Sequence, residues 1–457
     1  MHALPADAPG FACSGRSIPL IAATEVAETT ASAPAPARSS NKRPHVVIVG
    51  GGFAGINAAK ALAKADADVT GIDRRNHHLF QPLLYQVATG SLPPGDISSP
   101  IRGMLQGQAN AKVMLAEVVK IDAEGKSVEL ADGSAVAYDY LVLAVGARHS
   151  YFGHDEWEQF APGLKNLDDA NSLRSQIFSS FEKAEHATDA ERKKLLTFVI
   201  IGGGPTGVEL AGAIAEIAHH TLVKQFRNYD PRTAKILLVE ALPRILPMFS
   251  EKLSELATKQ LEELGVTVRT NGMVTLIEEH KVHLGEEVIE ADTIIWAAGV
   301  AAGPLAKTIG VPVDRAGRVT IKPDLTVEGH PDIYVIGDVS ALPSGPEGRP
   351  LPGIAPVAQQ EGTHAGQNIA RAIKGEPLAD FEYKNQGSLA VIGRNKAIAD
   401  IGGRQFGGPL AWVLWDGAHV MKLHGVRNRL SVGWRWATTY FGYNKGSHLI
   451  DESETPS

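Results

Sequence analysis

The chain has 457 residues, more than a single hydrophobic core usually serves, so two or more domains are expected. Its 44% hydrophobic and 21% charged residues are typical of a globular protein, and a net charge of -7 lacks the basic excess that nucleic-acid binding needs. One cysteine, Cys13, excludes an intrachain disulfide, and no run of about 18 apolar residues offers a conventional membrane-spanning helix.

Residues 1–43, rich in Ala, Pro, Ser and Thr without apolar periodicity, read as a disordered leader. Asp7, Glu25 and Glu28 among Arg16, Arg38 and Arg43 argue against an organelle-targeting peptide, which is poor in acids. At HVVIVGGGFAG (45–55) an apolar strand runs into Gly50, Gly52 and Gly55 and then into a helix-forming sequence. That context gives the glycines a mechanism. Gly50 permits the tight turn, Gly52 lets backbone meet a pyrophosphate, and Gly55 lets helix pack on strand. The next strand, VTGID (69–73), ends in Asp73, placed to hydrogen-bond a ribose hydroxyl.

The pattern returns at TFVIIGGGPTGVE (197–209), with Gly202, Gly204 and Gly207, a helical run over 208–220 and the strand KILLVE (235–240). Glu240 is the matching acid. It lies 33 residues beyond Gly207 against the usual spacing of about 20, so the intervening helix or loop must be extended. A carboxylate there pairs with the 2′-hydroxyl of NADH and repels the 2′-phosphate of NADPH, although Arg244 leaves some use of NADPH open. Short β-branched runs alternating with amphipathic stretches give an α/β fold with two Rossmann-like dinucleotide-binding domains.

A later glycine-flanked strand, DIYVIGD (332–338), resembles one in two-dinucleotide-binding flavoproteins, where the aspartate, here Asp338, contacts the flavin ribityl chain. The resemblance implies an FAD domain split into 44–165 and 320–395, an NAD domain (166–319) inserted between them, and a C-terminal segment over 396–457. YLVLAVG (140–146) and IIWAAG (294–299) are similar to the elements that carry the chain between such domains, which adds Gly146 and Gly299 to the cofactor-contacting positions.

Within that superfamily HLFQPLLYQVATGSL (78–92), with Gln81 and Tyr85, closely resembles the type II NADH dehydrogenases, single-subunit NADH:quinone oxidoreductases. The resemblance implies FAD and NADH as cofactors, hydride transfer from nicotinamide to flavin, and two electrons passed on to a quinone without proton pumping. It places Glu209 against the nicotinamide and flavin. An acid in a first helical turn would also simply complement the helix dipole. In APVAQQEG (355–362) it points to Gln360 as a hydrogen-bond donor to a quinone carbonyl. Many relatives carry Ala-Gln-x-x-x-Gln there; with Pro356 after Ala355 the first glutamine is missing, Gln359 is its only neighbouring substitute, and a helix-start glutamine can also cap or face solvent. No metal site is expected. With no cysteine pair for a thiol relay, electrons must leave the flavin directly to a small acceptor. Two other readings are a reductase of a protein acceptor and an NADH-sensing flavoprotein with slow turnover.

Trp412, Trp415, Trp434 and Trp436 fall in one short stretch with Lys422, Arg427, Arg429, Arg435 and Lys445, a composition suited to lying on a bilayer. Residues 408–445 are therefore expected to dock on a membrane surface, on the face open to the cytoplasm or its equivalent, unless the tryptophans pack on the FAD domain or on the second subunit of a homodimer.

Overall fold

The computed structural model describes residues 43–343, 350–442 and 449–450. The expected leader, Cys13 and Lys445 lie outside the described residues.

His45–Val49 is the middle of a six-stranded sheet ordered Thr326–Val327, His330–Val335, Tyr140–Leu143, His45–Val49, Asp68–Asp73, Ala111–Leu115. Pairing is parallel except at the Thr326–Val327 edge. Val46 to Val49 are at most 4% exposed, which is why this strand reads as a continuous apolar run: a parallel strand is covered on both faces. A second, all-parallel sheet runs Val266–Arg269, Lys235–Val239, Thr197–Ile201, Thr293–Trp296. Its strands all lie between Tyr140–Leu143 and Thr326–Val327, so the first nucleotide fold is discontinuous in sequence and the second is inserted. The two connections pair as an antiparallel ribbon, Ala147–His149 against Val300–Ala302, with Ala147 opposite Ala302 and His149 opposite Val300.

Small residues decide what covers each sheet. The Phe53–Ala61 helix packs along Ala355–Ile373, where a Cβ on Gly362 would sit 2.1 Å from the Ala54 carbonyl oxygen. The two backbones touch, as only glycine allows. Over the second sheet the Pro205–Glu216 helix meets Ser388–Gly393 instead, and a Cβ on Gly212 would fall 1.8 Å from the Ile392 oxygen.

Ser388–Gly393 pairs antiparallel with Lys396–Ile401, which pairs with Arg404–Gly407. The domain edge expected at residue 395 therefore falls inside a hairpin, at a turn where Asn395 takes a left-handed φ of 60°. SLAVIG (388–393) is as apolar as a buried parallel strand, so sequence pattern alone attaches it to the nucleotide fold before it. Helices Pro409–Lys422 and Val426–Gly442 complete the chain's described part before 449–450. The 80–97 stretch, early in sequence, shares its core with the 205–216 helix and with Trp415 and Val432.

Candidate functional site

The two glycine turns have almost the same geometry. Gly50 (φ 106°) donates its N–H to the Ile72 carbonyl at 2.8 Å and Gly202 (φ 113°) to the Val239 carbonyl at 2.7 Å. Asp73 accepts the N–H of Gly51 at 2.6 Å and that of Arg75 at 2.7 Å; Glu240 accepts those of Gly203 at 2.6 Å and Leu242 at 2.7 Å. Each carboxylate is thereby fixed beside its turn with lone pairs to spare for a ribose hydroxyl. A Cβ on Gly52 or Gly204 would meet nothing within 4 Å, so protein packing does not demand glycine there. Close approach by a ligand does. Both residues start helices without a side-chain cap, whereas Asn166, Thr188 and Ser250 cap theirs, so the first N–H groups at the two turns remain for a phosphate. These features fit a dinucleotide at each turn.

The longer interval before Glu240 is occupied by a π turn, Ile217–Thr221, and a loop that ends in the short Pro231–Thr233 helix. Arg244 donates to the carbonyls of Phe249 at 2.7 Å and Pro247 at 3.2 Å. Its guanidinium holds the 245–250 loop together and is not paired with Glu240.

Gln81, Tyr85, Glu209 and Gly299 come together around a cavity of about 110 Å³ whose wall also includes Lys165, Thr206, Trp296 and His149. Glu209 lies in the second turn of its helix, and no acid occupies the first turn, so dipole complementation does not account for it. Burial pushes its carboxyl well above the ordinary carboxylate range. The phenol of Tyr85, 8% exposed, is likewise raised by burial and then by the nearby Glu209. Trp296 is held edge-in by a 2.9 Å bond from Nε1 to the Ser150 carbonyl and packs on Tyr151 at 4.9 Å between ring centroids.

An adjoining cavity of about 80 Å³ is lined by Gly337, Asp338, Glu361 and Arg318. Lys165 Nζ, 3.5 Å from Asp338 Oδ2, belongs to the walls of the first cavity and so ties the two together. Glu361, 1% exposed, accepts the N–H of Gly337 (φ 76°) at 2.5 Å and the Ser340 hydroxyl at 3.4 Å, which shapes the turn that presents Asp338. Burial pushes its carboxyl up to about 7. Gly146, with φ 67°, follows the Tyr140–Leu143 strand and leads into the ribbon, and Gly299 faces the Phe152 ring, which a Cβ would approach to 2.7 Å.

Gln359 and Gln360 line neither cavity. Gln360 bonds the Lys384 backbone at both ends of its carboxamide, Nε2 to the carbonyl and Oε1 from the N–H, each at 3.0 Å. Lys165, Trp296 and Glu361 were not singled out in the sequence. Trp296 and Glu361 lie inside the quoted IIWAAG and APVAQQEG, so the signal was adjacency to a motif; Lys165 has none.

The tryptophans divide. Trp415 is 1% exposed, stacks on His419 at 4.0 Å and faces Trp436 at 5.7 Å, and Trp436 donates its indole N–H to Gln86. Of the four, Trp434 alone is broadly exposed, at 72%. Arg435 pairs with the largely buried Asp96 at 2.9 Å and Arg429 donates to the Leu423 carbonyl, so these two cations hold the helix in place. The broadly exposed apolar side chains of these helices are Leu410, Val413, Leu414 and Met421 along one side of the first and Val426, Leu430 and Trp434 at four-residue spacing along the second. No helix among the described residues is long and apolar enough to cross a membrane.

Residues 44–362 match the pyridine nucleotide-disulphide oxidoreductase family model and residues 385–442 match the NDH2 C-terminal domain. Among curated proteins the chain is 44% identical over 426 residues to the type II NADH:quinone oxidoreductase NdhA of Mycobacterium tuberculosis, covering 89% of each. It is 40% identical to Ndh of the same organism, covering 92% of this chain and 93% of that protein. The solved structure of NDH2 from Plasmodium falciparum in complex with NADH has the same fold, with a TM-score of 0.81 at 21% identity, over 90% of this chain and 100% of that one.

Proposed function

Because the chain belongs to the type II NADH:quinone oxidoreductase family, we propose that it oxidises NADH and reduces a quinone, with FAD as the resident cofactor and without pumping protons. The observation that carries this reading is the 110 Å³ cavity in which Tyr85, from the 78–92 motif, and Glu209, from the second glycine motif, meet. Bound FAD supplies the redox chemistry, accepting a hydride from nicotinamide and passing two electrons to the quinone. The chain's own residues bind and position. Asp73 and Glu240 hold riboses, Asp338 steadied by Lys165 holds the flavin side, and Trp296 with the buried Tyr85 excludes water from the meeting point. Glu209, with its raised carboxyl, can carry a proton close to the reacting rings. The single cysteine of the chain leaves no thiol pair to stand between flavin and acceptor.

The exposed apolar stripe of the two C-terminal helices supports docking on a membrane surface, on the face where NADH is available. Removing residues from 408 onward is a poor test, because Ala411, Trp415, Leu423 and Val432 are core. Leu430→Asn with Trp434→Asn is expected instead to abolish sedimentation with anionic vesicles; if a second copy covers the stripe, the pair changes the oligomeric state without vesicles. Anaerobic titration with NADH should bleach the flavin absorbance, and added quinone should restore it. A flavin that stays reduced with every quinone but is reoxidised by a protein carrier would replace this reading with that of a protein reductase.

A further inference from the structure

Tyr85 is tied to the last described helix by a chain of two hydrogen bonds. Trp436 Nε1 donates to Gln86 Oε1 at 2.8 Å, and Gln86 Nε2 donates to the Tyr85 hydroxyl at 2.9 Å. The direction of both bonds is forced. An indole N–H can only donate, so the end of the Gln86 amide facing Trp436 is its oxygen, and the end facing Tyr85 is its NH₂. The phenol oxygen therefore accepts, and its own proton must be given elsewhere. Among the described residues no protein acceptor takes that proton, while Tyr85 lines the cavity that holds Glu209.

The tether is rigid. Trp436 packs on Trp415, itself 6.4 Å from the Tyr85 ring. On the same helix Asn428 donates to the Ser98 carbonyl at 3.2 Å, Ser431 donates to Asp96 at 2.9 Å and Arg435 pairs with Asp96, clamping the helix to the 96–99 segment. Gln86 is 8% exposed, so bulk water does not compete for its amide.

We propose that Trp436 is a positioning residue for the acceptor half of the reaction: through Gln86 it fixes the polarity of Tyr85, whose hydroxyl donates a hydrogen bond to a carbonyl oxygen of the quinone. The C-terminal helix then contributes to the acceptor site itself as well as to the surface that faces the membrane. Burial keeps the phenol protonated, and hence a donor, throughout the working range of pH. The inference rests on the quinone reading above and extends it to a specific donor.

Trp436→Phe keeps the ring and deletes the N–H. In stopped-flow measurements on the holoprotein, flavin bleaching by NADH is expected to stay at the wild-type rate, while reoxidation by menadione or a short-chain ubiquinone slows about tenfold, the usual effect of one lost polar contact. Tyr85→Phe is expected to slow reoxidation at least as much, and Trp436→Phe added to it should cost less than about a further twofold. Should Trp436→Phe fold poorly, Gln86→Met breaks both bonds with the ring intact and must show the same loss and the same non-additivity. Wild-type reoxidation rates in these variants, or losses that multiply with Tyr85→Phe, overturn the relay. Wild-type protein that no quinone reoxidises would overturn the underlying reading instead.

Discussion

The turn at Gly50 and the turn at Gly202 are two solutions of one problem, alike in the bonds that join each glycine turn to its acid and unlike in what lies on top. Gly55 and Gly207 both sit so near the turn that a Cβ would come within 1.8 and 1.9 Å of the carbonyl oxygens of Gly50 and Gly202. Above the first cradle lies the Ala355–Ile373 helix, with a buried carboxylate in it; above the second lies the C-terminal sheet and, beyond it, the two helices with the exposed stripe. The shared bonds serve nucleotide binding. The unshared layer distinguishes the halves: the helix of the second cradle supplies Thr206 and Glu209 to the larger cavity, where they meet Tyr85.

The largest effects test the likeness. Gly55→Ala and Gly207→Ala each force a methyl into a backbone carbonyl and are expected to cost on the order of 3 kcal/mol or more, read as loss of soluble, cooperatively unfolding protein. Gly52→Ala and Gly204→Ala meet no protein atom and should leave stability nearly unchanged. They should part in function: Gly52→Ala purifies depleted of flavin, whereas Gly204→Ala retains flavin and raises the KM for NADH about tenfold. A Gly204→Ala protein that loses flavin would exchange the assignment of the two cradles.

The next effect belongs to the first half alone. Glu361 has an ordinary carboxyl value near 4.5 and is raised to about 7 by burial in the fold. The folded state holds this proton more tightly than the unfolded state does, so stability falls as pH rises from about 4.5 to about 7, by about 3 kcal/mol. Glu361→Gln keeps an acceptor for the Gly337 N–H and removes the titration. Thermal unfolding of the variant between pH 5 and 8 should lack that decline, and a decline of unchanged slope would assign it to other groups.

Much of this difference between halves could be read in the chain and some could not. Strand and three glycines recur at the same spacing because sterics and phosphate geometry leave few alternatives, and each next strand ends in an acid even though the interval before Glu240 is longer, so both cradles were legible down to Asp73 and Glu240. Glu209 and Tyr85 were legible only through family resemblance, and their meeting is tertiary: 85 and 209 are brought together because the 80–97 stretch shares the core of the inserted domain. Gln360 shows another case, a glutamine in the expected motif that bonds the Lys384 backbone and lines neither cavity. The tryptophans mislead for a related reason. Composition cannot tell which side of a helix faces inward, and at Trp415 and Trp436 it is the aromatic side.

The smallest effect concerns the acids that end the second strand of each half. Both accept a glycine N–H at 2.6 Å, so neutralising either loosens its turn, but in the proposed reading only Glu240 also sets the choice between NADH and NADPH. Glu240→Gln keeps the side-chain length and one acceptor while removing the charge that repels a 2′-phosphate. The KM for NADH should rise severalfold, about 1 kcal/mol in binding, since one charged hydrogen bond becomes a neutral one. NADPH should gain little in return. The nearest cation in the sequence, Arg244, is committed to the Phe249 and Pro247 carbonyls and would have to abandon both to reach a phosphate. Steady-state kinetics with both nucleotides decide the matter: efficient NADPH oxidation by Glu240→Gln would mean that Arg244 leaves the Phe249 and Pro247 carbonyls and swings freely.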